Sequence, residues 1–89
     1  MINMGFMDVF KSRKAVKLHQ NGRYDEALAI YEEVYEKGLV SAVYMLPYSV
    51  LLLKRGEGEA NFLKVKEILK KAEKAPDLTP DKRQQLLMN

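Results

Sequence analysis

Two glycines set the strongest constraint on how this chain folds. Gln20-Asn21-Gly22 and Lys54-Arg55-Gly56 each close an apolar stretch of helical length, and the two glycines stand 34 residues apart. A chain that repeats at such an interval builds one supersecondary unit several times over, each unit too small to bury its apolar face alone. The clearest helix lies between the glycines, from Tyr24 to Lys37. Tyr24, Ala27, Leu28, Tyr31, Val34 and Tyr35 recur at three- and four-residue steps and so share one face, while Glu32, Glu33 and Glu36 lie mostly opposite. Asp25 and Glu26 suit the positive end of the helix dipole, and Lys37 followed by Gly38 suits its negative end and a left-handed stop.

Around this helix the pattern becomes specific. Gly22-Arg23-Tyr24-Asp25-Glu26-Ala27-Leu28-Ala29-Ile30-Tyr31 resembles the turn and second helix of a tetratricopeptide repeat, with Ala27 and Tyr31 matching that family's small-then-aromatic pair. Counting back from Gly22 lays Ala15 and Leu18 on the small residue and the aromatic of the repeat's first helix. Lys11 and Lys14 fall where the family has Trp and Leu, and the large apolar residue stands one place early, at Phe10. Counting back from Gly56 puts Met45, Tyr48, Ser49 and Leu52 at the corresponding places of a second repeat. Pro47 lies inside that helix, where a missing donor and a steric clash predict a kink or a broken first turn. Gly56-Glu57-Gly58-Glu59 reads as a loop, and beyond it Val65, Leu69 and Ala72 fit the second-helix pattern once about four inserted residues are allowed for. Phe62, Val65, Ile68, Leu69, Ala72 and Ala75 keep the helical spacing as far as Pro76. Thr79-Pro80, a cap followed by proline at the first helical position, opens a fifth helix.

The resemblance therefore implies an all-α fold, an antiparallel helix-turn-helix repeat superhelix of about five helices at about 7–20, 24–37, 41–55, 60–75 and 80–89. Its expected organisation is a flexible N-terminus at 1–7, repeat 1 at 8–41, repeat 2 at 42–79 with an insertion near 56–61, and an incomplete third repeat or capping helix at 80–89. Because the chain stops at Asn89, before a second helix of that third repeat, the expectation is a piece of a longer array or a self-associating unit. Leu86, Leu87 and Met88 would form that contact between copies.

Composition narrows the class of function. With 89 residues, 47% hydrophobic and 30% charged, the chain suits one folded domain with a modest core. It has no Cys, so no disulfide framework and no thiolate metal site, which agrees with a cytoplasmic location. The net charge of +3 is spread along the chain and is not gathered into a basic, aromatic-interleaved run, so nucleic acid is not an expected partner. The opening Met1-Ile2-Asn3-Met4-Gly5-Phe6-Met7-Asp8 lacks the layout of a signal peptide. The longest apolar stretch, Leu39 to Leu53, holds polar residues and a proline and falls short of the ~20 residues of a membrane span.

Catalytic residue types occur singly and do not converge in sequence. His19 is the only histidine, with no Cys and no carboxylate at ligand spacing beside it, so neither a metal centre nor a Cys-His pair is expected. Asp25-Glu26 and Glu32-Glu33 read as capping and solvation. Gly56-Glu57-Gly58 lacks the Lys-Ser/Thr of a phosphate loop. Lys64, Lys66, Lys70, Lys71 and Lys74 share their helix with Glu67 and Glu73 and read as a solvated face. No enzyme activity, cofactor or metal is expected. Tetratricopeptide proteins bind peptides or partner helices in the groove lined by each repeat's first helix, and the register assigns to that concave face Val9, Arg13, Val16, His19 and Gln20, with Val43, Leu46, Val50, Leu53 and Lys54. The implied function is a protein-interaction scaffold. The alternative is a structural element whose apolar faces pair with other copies or with the rest of a longer repeat protein.

Overall fold

A computed structural model of the chain describes residues 4–56 and 58–78, with side chains from Met7 onward. Among the described residues there are four α-helices and no strand: α1 (Met4–Gln20), α2 (Tyr24–Glu36), α3 (Ala42–Arg55) and α4 (Glu59–Ala72). They pair as two helix-turn-helix hairpins, α1 with α2 and α3 with α4. The chain divides accordingly into two compact units, Met1–Leu39 and Val40–Asn89. The fifth helix expected at 80–89, with Leu86, Leu87 and Met88, lies outside the described residues.

In the first unit, glycine ends both helices by one device. The Arg23 amide donates to the Leu18 carbonyl at 2.9 Å and the Gly22 amide to that of His19 at 3.1 Å, and Gly22 takes a φ of 82°. At the end of α2, Leu39 donates to Val34 at 3.2 Å and Gly38 to Tyr35 at 3.0 Å, with Gly38 at a φ of 92°. Both are the reverse-bonded helix stop that needs a left-handed residue, which a side chain would disfavour. Between these stops Ala27, Tyr31 and Val34 of α2 are buried, and α1 packs Ala15 together with two polar residues, Asp8 and Ser12. The Ser12 hydroxyl donates to the Val9 carbonyl at 2.7 Å, so its burial leaves no donor unsatisfied. α1 begins at Met4, ahead of the expected start near residue 7. Its packed face runs through Asp8, Ser12 and Ala15 and leaves Phe10 exposed.

The second unit holds the larger buried set. Ala42, Tyr44, Met45, Tyr48, Ser49, Leu51 and Leu52 of α3 are buried, and α4 contributes Val65, Ile68 and Ala72. A fully buried side chain of the size of Ile68 contributes about 1.5–3 kcal/mol relative to leaving it in water. Pro47 does not break α3, which runs without interruption from Ala42 to Arg55. Proline withdraws one intrahelical donor, and the remaining contacts of a helix with this much buried surface outweigh that loss.

α3 is also held at both ends by side chains from outside it. Ser41 stands at the N-cap, yet its hydroxyl donates to Asp77 Oδ2 at 2.6 Å, and Asp77 Oδ1 accepts from the Ala42 amide at 2.7 Å. At the other end Asn61 Nδ2 and the Gly56 amide both donate to the Leu52 carbonyl, at 3.0 and 2.9 Å. Gly56 differs here from Gly22: its φ is −108°, and the left-handed residue of this turn is Gly58 at 94°. A side chain at position 56 would fall on the Asn61 amide group, so Gly56 serves close approach.

Candidate functional site

The face assigned to α3 is the most complete of the two. Turning about the helix axis, Val43, Leu46, Val50 and Leu53 follow one another at three- and four-residue steps, opposite the buried row of Tyr44, Tyr48 and Leu51. Val43 and Leu46 are half-buried, whereas Val50 is 45% exposed and Leu53 54%, with Lys54 exposed beside them. α3 thus carries two apolar faces, one inside the hairpin and one toward solvent. An ordinary surface helix would place charged residues on the second.

On α1 the assigned residues are more mixed. Val9 is 37% exposed, Arg13 and Gln20 are exposed, and Val16 is half-buried. His19 is engaged within its own hairpin: its Nδ1 and the Tyr31 hydroxyl are hydrogen-bonded at 3.0 Å, and its ring meets Tyr24 and Tyr31 edge-on at 5.7 and 6.0 Å. Burial pushes the Tyr31 phenol well above its ordinary value, so it stays protonated beside the imidazole. Met7 and Phe10, which the register did not assign, are exposed large apolar residues on α1. On α4 the adjacent pair Phe62 and Leu63 is each 55% exposed. Phe62 shares its helix with the packing residues Val65, Ile68 and Ala72 but lies off their face, a distinction that a three- or four-residue spacing alone does not draw.

Charged side chains at the open end of the first hairpin form one cluster. Glu33 Oε2 accepts from Lys11 at 2.6 Å and from Lys37 at 3.2 Å, and Lys37 stands 3.7 Å from the buried Asp8. The hydrogen bonds from Lys11 and Lys37 hold the Glu33 carboxyl below its usual range, and Glu33 in turn raises Lys37. The arrangement is that of a structural tie between α1 and α2. Among the described residues no group of three or more His, Cys, Asp or Glu is placed to hold a metal ion, and no helix is long and apolar enough to cross a membrane.

No family model matches the chain, and no curated protein or solved structure matches it.

Proposed function

We propose that the protein is a tetratricopeptide-like helical-hairpin module that binds a peptide or partner helix, without a reaction or cofactor of its own. What carries the reading is the second apolar face of α3, where Val43, Leu46, Val50 and Leu53 form a stripe of the length a short amphipathic helix presents in return. Contiguous apolar surface is seldom left in water, so such a stripe is the natural seat of a partner's apolar residues. The family resemblance supports the same role for the exposed positions of α1, Val9, Arg13 and Gln20. A cytoplasmic location belongs to this proposal and rests on the absence of cysteine.

The test is a selection of helical peptides displayed against the protein, followed by amide-shift titration with the selected peptide. Shifts are expected at Val43, Leu46, Val50 and Leu53. Val50→Glu should abolish the binding and leave helicity and melting temperature nearly intact, because solvent-side substitutions usually change stability by no more than about 0.5 kcal/mol. Loss of fold together with binding would make Val50 a packing residue and remove the stripe as a site. The second reading, in which the same apolar faces pair between copies, is favoured by the same exposure of Val50 and Leu53. Light scattering of the wild type and of V50E across a concentration series, in salt high enough to screen exposed ion pairs, separates the two: association that V50E abolishes supports pairing of the apolar faces, and a wild type that stays monomeric supports the peptide-binding reading.

A further inference from the structure

The charges of the four helices are unevenly distributed. α2 holds Asp25, Glu26, Glu32, Glu33 and Glu36 and no basic residue, whereas α4 holds Lys64, Lys66, Lys70 and Lys71 against Glu59 and Glu67. Some of these charges are used locally: Glu26 pairs with Arg23, Glu33 with Lys11 and Lys37, and Glu67 with Lys71. Glu32 and Glu36 are exposed on α2, one helical turn apart, and make no ion pair within the chain among the described residues. Lys66 and Lys70 are exposed on α4 at the same one-turn spacing, and neither makes an ion pair among the described residues; Lys66 stands 5.7 Å over the Phe62 ring. A groove along α4, lined by Leu63, Lys66, Glu67, Leu69, Lys70 and Glu73, gives this basic row an apolar floor.

We infer that the α4 groove is an interaction surface for α2 of a second copy of this chain. The two rows fit in one register: with the helices side by side in the same direction, Glu32 meets Lys66 and Glu36 meets Lys70. The same offset brings the exposed Ala29 to Leu63, where a small residue allows the close approach that covers Leu63 and Phe62. The contact joins two different surfaces, so a pair of copies retains one free acidic row on one member and one free basic row on the other, and association is head-to-tail. Exposed ion pairs are individually weak, so the interaction is concentration-dependent and steered by charge, with the apolar floor supplying the remainder. It uses no residue of the α3 stripe and stands apart from the binding function proposed above.

Charge reversal tests this directly. In Glu32→Lys/Glu36→Lys both rows are basic, and in Lys66→Glu/Lys70→Glu both are acidic. The wild-type chain is expected to show a weight-average mass that rises with concentration in sedimentation at low salt. That association should fade between ~20 and ~500 mM salt, as the screening length falls from about 20 to about 4 Å. Each reversed variant alone should associate at least about tenfold more weakly, and an equimolar mixture of the two should recover association. A chain that stays monomeric at ~1 mM in low salt overturns the inference. So do reversed variants that associate as well as the wild type, a mixture that stays dissociated, or a basic row that binds anionic lipid vesicles while the chain itself stays monomeric. Circular dichroism of each variant checks the fold, and the neutral pair Glu32→Gln/Glu36→Gln, which should also weaken association, keeps the test readable should a reversal disturb α2.

Discussion

Ala27 has no exposed surface and lies on the buried row of α2 with Tyr31 and Val34, so any added side-chain volume must displace its neighbours. Ala27→Leu is expected to destabilise the fold by about 1–3 kcal/mol, read as a lowered urea midpoint at unchanged slope. An unchanged midpoint would take Ala27 out of the packed interface. Tyr31 tests a different contribution at the same scale. Tyr31→Phe keeps the ring and removes the hydroxyl bonded to His19, leaving a half-buried imidazole nitrogen without that partner. The expected loss is about 0.5–1.5 kcal/mol, and a double-mutant cycle with His19→Ala should assign most of it to the pair.

For the helices, the ends of α3 set the sharpest expectations. Partial burial works against ionisation of Asp77, but the hydrogen bonds from Ser41 and from the Ala42 and Val43 amides outweigh it and hold the carboxyl below its ordinary value of 3.8. A depressed carboxyl contributes stability that is fully present above the unfolded-state value and is lost as pH falls through the lower folded-state value. Asp77→Asn should therefore melt below the wild type at neutral pH, with the gap closing as pH drops from about 4 downward. A gap that holds constant into acid would show that the charge of Asp77 is not what caps the helix. Asp77→Ala should cost about 0.5–2 kcal/mol at neutral pH, the range for loss of a helix cap.

These ends also mark where the sequence stopped being readable. The four helices were legible because each repeats its apolar residues every three or four positions, and Gly22 and Gly38 announced their turns. The capping by Asp77 joins residues 35 and 36 positions apart, and no local pattern signals it. Asp8 and Ser12 escaped because a buried polar residue scores as a surface one, and for that reason the packed face of α1 was legible only in its second half. On the candidate site, helical spacing set Val50 and Leu53 opposite Tyr44 and Tyr48, and both are exposed there, although α3 is apolar on both faces. It did not anticipate that His19 would be occupied by Tyr31, because the two meet across a turn.

Across the whole molecule, the two units differ in what they bury. Among the described residues the first buries Asp8, Ser12, Ala15, Ala27, Tyr31 and Val34, two of them polar, whereas the second adds Tyr44, Met45, Tyr48, Leu51, Leu52, Val65 and Ile68 to a smaller set of Ala and Ser. Apolar burial is the dominant favourable contribution to folding, so the second hairpin should open less often than the first. Hydrogen exchange followed by mass spectrometry is expected to find the slowest amides in α3 and faster exchange through α1 and α2. Uniform protection across all four helices would show that the units unfold as one cooperative body.

The clasp of Ser41 by Asp77 has a consequence for chain topology. The residue that leads into α3 and one that follows α4 lie within a single hydrogen bond, 2.6 Å from hydroxyl to carboxylate. In path terms the second hairpin is a detour that returns to its own starting point. A copy of residues 41–77 spliced in after Asp77 would thus begin where the original ended, and the backbone could gain hairpins by duplication with no new connector to invent.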